Sequence, residues 1–210
     1  MDTPDFRSQI VAYIRTQAQP PDKYAHQPRL YQLAVRLGQG QPFDDDVLFA
    51  AVWLHDLGVF VGHRPSDLTA LATWDHLAYA VEKVPDLLKQ WGFPAEKIPA
   101  VINAILTHLP AGQPTSIEGS LLHDADILEQ LGAVGILRMV SKVGRDSRYP
   151  THAAAIAMLE QQVQTLPSHL RLSQAKIMAK PRIDLLDSFL RAAQQESQGV
   201  LSGNDWIPYG

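Results

Sequence analysis

The sequence predicts an all-α fold, a compact single-domain helical bundle. Apolar residues recur at helical spacing along nearly the whole chain, and alternating β-branched runs bounded by hairpin turns are hard to find. A chain of 210 residues fits one domain. At that length roughly 70% of the unfolded surface can be buried, so no covalent staple is needed.

The elements follow in order. Thr3 can cap a first helix with Pro4 at its first position, and Pro20-Pro21 ends it. A second helix starts near Tyr24 and closes at Gly38. Its stripe His26, Leu30, Leu33, Leu37 steps by four, three and four, one helix face, so His26 points with the core side. Asp44, Asp45 and Asp46 suit a helix N-terminus, and the third helix runs through Val47, Ala51, Leu54 and His55 to Gly58. These acids read as caps, since they lack the Gly and distal Glu of a calcium loop. A loop with Gly62, His63 and Pro65 follows. Ser66 or Asp67 caps a long fourth helix through Trp74, His76 and Val81, with Pro85 as a break or kink. Pro94-Ala95-Glu96 opens a fifth that ends near His108, before Pro110. Residues 117 to 144 read as one or two helices interrupted around Gly132 and Gly135, and further helices cover about 151 to 166 and 173 to 197. Residues 1–19 form an N-terminal helix packing on the domain, 20–197 the domain itself, and 198–210 an irregular tail.

Composition narrows the chemistry. The chain has no cysteine, which excludes disulfides, thiolate nucleophiles and Cys-ligated zinc and fits a reducing, cytoplasmic setting. Eighteen basic against 22 acidic side chains give −4, so no global basic field serves duplex nucleic acid and any phosphate must be held locally. The N-terminus carries acids and no long apolar region, and apolar runs such as Val47 to Leu54 stop far short of the roughly 20 residues of a membrane span. Eight histidines make imidazole the main metal ligand on offer. His55 and Asp56 stand together at the end of an apolar helix. Adjacent helical residues diverge by about 100°, so other elements must complete a shell. His26 and an acid from His123-Asp124-Ala125-Asp126 are the candidates. Helical periodicity slightly prefers Asp124, which falls within the arc of Leu121, Ala125, Leu128 and Leu131.

These segments occur in an order that resembles the HD superfamily of metal-dependent phosphohydrolases. His26-Gln27-Pro28-Arg29 is similar to its H-x-x-R, Ala50 to Gly58 to its A-A-x-x-H-D-I-G, and Ile105-Leu106-Thr107-His108 to its I-x-x-H. Asp124 to Ala133 resembles the D-A-D-R-L-D-x-L-G-A of a bacterial subgroup of small HD hydrolases. The likeness continues to Arg138 and covers about 20 to 197.

The resemblance implies a ligand set of His26, His55, Asp56 and Asp126, the last from the A-D-x-L step, with Asp124 orienting an imidazole from behind. Two nitrogens and two oxygens suit a divalent transition metal, Mn, Fe, Co, Ni or Zn, with Mg also admitted, and leave positions open. One metal is favoured over two, because no further carboxylate is evident to bridge a pair. Metal-activated water would attack phosphorus without a protein nucleophile, consistent with the lack of Cys and of a G-x-S-x-G elbow. Asp56, His76 and His108 form the catalytic set, the two histidines as phosphate contacts or proton donors. Arg29, Arg138 and Lys142 are the phosphate cations; Arg138, Lys142, Arg145 and Arg148 share a face if their helix continues that far. Two departures stand out: Ile127 occupies the Arg position of D-A-D-R, and Ile156 falls near an expected Lys.

The implied substrate is a small nucleotide-like phosphoester or phosphoanhydride, cleaved as by a nucleotidase, pyrophosphohydrolase or phosphodiesterase. Two other classes stay open. A di-iron HD-fold oxygenase would use His26, His55, His76 and His108, and a catalytically weakened nucleotide- or partner-binding module would explain Ile127. His63 and His152 read as loop or cap residues, His123 and His169 as structural or exposed, and Trp53, Trp74 and Trp91 as core. Oligomeric state is left open.

Overall fold

The computed structural model describes residues 5–146 and 148–202, and among them the regular structure is helical. Ten α-helices follow one another: α1 (Phe6–Gln17), α2 (His26–Leu37), α3 (Asp45–Leu54), α4 (Leu68–Ala72), α5 (His76–Gln90), α6 (Ile98–Thr107), α7 (Ile117–Glu129), α8 (Gly132–Val140), α9 (His152–Thr165) and α10 (Ser173–Glu196). Residues group into two compact units, Met1–Ala125 and Asp126–Gly210, with the division inside α7.

In the first unit α3 is the central post. Every residue from Val47 to Leu54 is buried, so the helix is apolar on all sides and must be enclosed by neighbours. Helices α1, α2 and α6 pack against it, and α5 packs against α6. Each fully buried Leu or Val contributes about 1.5–3 kcal/mol relative to exposure.

The N-terminus of α3 is held by charge. Asp44 Oδ1 accepts from the amides of Asp46 at 3.0 Å and Val47 at 3.2 Å, and its own amide donates to Glu118 Oε1 at 2.7 Å. Arg7 from α1 bridges Asp45 and Asp46 at 2.8 and 2.6 Å, and Lys97, just before α6, reaches Asp44 and Asp46 at 2.9 and 3.1 Å. The Arg7 hydrogen bond is the chief reason that the Asp46 carboxyl lies below its ordinary range. The polar end thus fixes the rotation and depth of a helix whose other end carries His55 and Asp56. In the second unit α8, α9 and α10 pack on one another.

Several boundaries differ from expectation. Asp5 caps α1, its side chain accepting from Ser8, and the helix ends at Gln17; the expected caps Thr3 and Pro4 lie outside the described residues, as does the tail from 203 onward. The long fourth helix is two helices, because Asp75 starts a new one, accepting from the amides of Leu77 and Ala78. Pro85 lies inside α5 without ending it. A 3-10 turn at Ala95–Lys97 leads into α6, where Pro99 sits in the first turn. Helix α8 stops at Val140, so Lys142, Arg145 and Arg148 lie in the turns beyond it and do not form one helical face with Arg138.

The segment after α3 is short of space. An added Cβ on Gly58 would come within 2.6 Å of the His76 carbonyl oxygen and 2.8 Å of its Cα. Glycine lets the chain two residues past Asp56 touch the first residue of α5. Trp74 Nε1 locks the same turn by donating to the Gly58 carbonyl at 2.8 Å. His63 is bracketed by the Tyr79 hydroxyl and Gln17 Oε1, each at 2.8 Å, and burial pushes its imidazole below its ordinary pKa. Gly58→Ala should force the backbones apart and destabilise the protein by about 1–3 kcal/mol in chemical denaturation; an unchanged midpoint would show that the contact carries no strain.

Candidate metal centre

His55 and His108 sit in equivalent places. Each is the residue after the last turn of a helix, α3 or α6, and each folds its ring back so that Nδ1 donates to the carbonyl three residues earlier. The distances are 2.8 Å to Val52 and 2.6 Å to Ile105. Both bonds satisfy carbonyls that a helix end leaves open. They also fix the tautomer: the proton is on Nδ1, and Nε2 keeps its lone pair, as a metal-binding or proton-accepting imidazole requires. The two rings meet edge to face with centroids 4.9 Å apart. Two helix C-termini therefore converge, each carrying partial negative charge that favours a cation.

Asp56 stands between His55 and His26. His55 Nε2 is 3.6 Å from one carboxylate oxygen, and His26 Nε2 is 4.0 Å from the other. One donor atom from each of His26, His55 and Asp56 lies within 4.8 Å of the others. Ligands of one tetrahedral ion at about 2.1 Å are about 3.4 Å apart, so the three atoms need only a small inward shift to share a cation. The rings of His26 and His55 are 4% and 1% exposed as residues, which keeps solvent from competing for those nitrogens. Burial disfavours charge on Asp56, but His55, His26 and His108, when they carry charge, together with Lys23 outweigh it and hold the carboxyl well below the usual carboxylate range. Asp56 is thus an anion at neutral pH. Two imidazoles and a carboxylate form the mixed donor set that suits a divalent transition metal.

The remaining expected residues fall as follows. His76 begins α5, half-buried, with its backbone against Gly58. Arg29 is half-buried one turn past His26 on α2. Asp124 is fully buried and accepts from His123 Nδ1 at 2.8 Å, and His123 Nε2 faces the Pro110 carbonyl at 3.3 Å. His123 is therefore a buried partner of Asp124. In the second unit, Asp126 Oδ2 accepts from the Gln130 amide at 3.2 Å, and Arg138 reaches Glu129 at 3.3 Å and Asp126 at 3.9 Å. Lys142 lies over the Tyr149 ring at 5.5 Å. Ile127 is fully buried, so the position where the subgroup carries Arg is occupied here by a core side chain. His152 opens α9 and His169 lies in a 3-10 turn.

Sequence reasoning passed over the segment before His26. Lys23 has no motif to mark it, yet it is among the charges that hold Asp56 ionised. The Trp53 indole N–H, one turn before Asp56, is buried with no acceptor among the described residues.

A family model described as the HD domain matches residues 24–131, from just before α2 to just after α7. The chain belongs to the HD-domain family. His26, His55, Asp56, His108 and Asp126 all lie within the matched span. The protein is 26% identical over 199 residues to the uncharacterised protein YpgQ of Bacillus subtilis, covering 90% of this chain and 91% of YpgQ. The crystal structure of YpgQ in complex with ADP superposes with a TM-score of 0.70 at 23% identity, over 92% of this chain and 99% of that one. An HD-superfamily hydrolase from Bacillus thuringiensis has the same fold, with a TM-score of 0.66 at 19% identity over 91% and 96% of the two chains.

Asp56→Asn should keep the fold and lose the cation. Saturating Mn should raise the melting temperature of the wild-type HD domain by about 5 °C or more and leave the variant unmoved. An equal shift in both would show that Asp56 does not bind the metal.

Proposed function

We propose that this HD-domain protein is a cytoplasmic, metal-dependent phosphohydrolase acting on a nucleotide-like phosphoester or phosphoanhydride. The observation that carries the reading is the His26–His55–Asp56 cluster, its two imidazoles buried, with the His55 tautomer preset and the Asp56 carboxylate ionised. The family pattern adds Asp126 as fourth ligand, with Asp124 behind it, leaving an open shell for one divalent cation, Mn, Fe, Co, Ni, Zn or Mg. Held by these residues, a divalent cation would supply Lewis-acid polarisation of a phosphoryl oxygen and a lowered pKa for water, from about 15.7 toward neutrality.

The protein's own groups do the rest. Asp56 offers one oxygen toward each imidazole, and a carboxylate oxygen not taken by a metal would orient a water by accepting a hydrogen bond from it. His108 keeps its proton on Nδ1, which leaves Nε2 as the basic nitrogen able to take up a proton and return it to a leaving oxygen. His76, at the N-terminus of α5, and Arg29 supply contacts for phosphate oxygens. Arg138 is engaged with Glu129 and Asp126, and Lys142 covers Tyr149; in this reading they serve phosphate only after exchanging those partners.

The ADP complex of YpgQ supports a nucleotide as substrate. The class includes nucleoside triphosphates split to monophosphate and pyrophosphate. Purified protein with Mn should release phosphate or pyrophosphate from at least one nucleotide, and His55→Ala should lower the rate more than about 100-fold. Full activity in His55→Ala would overturn the reading. So would iron-dependent O₂ uptake with no phosphate release.

A further inference from the structure

We propose that Gln130 is a positioning residue for the metal centre, its amide aiming the Asp126 carboxylate; this rests on the family pattern's assignment of Asp126 as fourth ligand. Asp126 and Glu129 are 9% and 4% exposed, so their carboxylates depend on protein donors more than on solvent. Gln130 lies one turn after Asp126 and folds its side chain back along α7. Its Nε2 donates to Asp126 Oδ2 at 3.2 Å and to the Asp126 carbonyl at 3.3 Å. Both acceptors belong to one residue, so the amide fixes the carboxylate against its own backbone and sets its direction.

The amide is itself held. A glutamine can present nitrogen or oxygen, and only the nitrogen suits a carboxylate. Gln162 of α9 makes that choice: its Nε2 donates to Gln130 Oε1 at 3.3 Å, which leaves Nε2 of Gln130 turned to Asp126. The Gln130 backbone is fixed as well. Its N–H donates to the Ile127 carbonyl at 3.0 Å, and its carbonyl lies so close to Gly135 of α8 that an added Cβ there would come within 2.2 Å. From α10, Arg182 donates to the Leu128 carbonyl and packs beside Gly132, where a φ of +71° turns the chain into α8. Three helices of the second unit converge on the turn that carries Gln130.

Charge explains why an amide serves here. Arg138 Nη1 lies 3.3 Å from Glu129 Oε2 and 3.9 Å from Asp126 Oδ1, so the guanidinium sits closer to Glu129. A full positive charge in close contact with Asp126 would offset the negative charge that a metal ligand needs. A neutral N–H donor orients the carboxylate without neutralising it. A carboxylate has roughly four acceptor positions, which leaves room for an amide and a cation together.

The test is calorimetric binding of Mn to the metal-free full chain, with the melting temperature of the metal-free protein measured alongside. Gln130→Met keeps the length of the side chain and removes the donor. It should weaken Mn binding about tenfold or more at an unchanged melting temperature. Gln162→Met, which lets the Gln130 amide turn over, should show a smaller loss in the same direction. In an Asp126→Asn background, itself weaker for Mn than wild type, Gln130→Met should change the affinity less than about twofold, because its effect passes through that carboxylate. If Gln130→Met lowers the melting temperature, the same cycle run with Gln162→Met decides. Wild-type affinity in both glutamine variants, while Asp126→Asn weakens Mn binding, would overturn the proposal. An equal loss in both backgrounds would overturn it too, as the mark of a merely structural role. Wild-type affinity in Asp126→Asn would instead remove Asp126 from the ligand set, and the proposal with it.

Discussion

The first unit depends on the complete enclosure of α3. A ten-residue helix with eight consecutive buried residues has no solvent face, so α1, α2 and α6 are obliged to surround it. Such a helix has no amphipathic stripe to set its rotation. The charged residues at its start do that, with Arg7, Lys97 and Glu118 each arriving from a different neighbour. With one end clamped and the sides packed, the direction of the chain leaving the other end is determined, and that is where His55 and Asp56 emerge.

The electrostatics at that end are one-sided. Helices α3 and α6 bring their C-termini together, Asp56 adds a full negative charge, and the histidines keep their protons on the nitrogens facing the helices. Each feature alone is ordinary: a C-terminal histidine that bonds back to its helix is a common way to satisfy an open carbonyl. Combined in a buried place, they present lone pairs and negative charge to one point, which is what a cation requires.

Much of this was legible in the sequence because it is local. The spacing His26, Leu30, Leu33, Leu37 set His26 on the core side, and the acids before Val47 marked the start of α3. Its end was read four residues late, at Gly58, because α3 stops at Leu54 with His55 as its cap and a 3-10 turn follows. What was hidden depends on choices between equally good local signals. Asp67 and Asp75 can both cap a helix, and both do, so one expected helix became two. Spacing placed Arg138, Lys142, Arg145 and Arg148 on one face only if the helix persisted, and it ends at Val140. Ile127 looked like a missing phosphate contact because its position was read through a motif; its complete burial makes it a core residue.

The central claim is that His26, His55 and Asp56 hold one divalent cation. Diffraction from crystals grown with Mn, recorded on either side of the manganese absorption edge, tests it directly. The account predicts a single strong anomalous peak at about 2.0–2.3 Å from Nε2 of His26, Nε2 of His55 and a carboxylate oxygen of Asp56. A fully Mn-soaked crystal with no peak there, or with its peak on other residues, would contradict it.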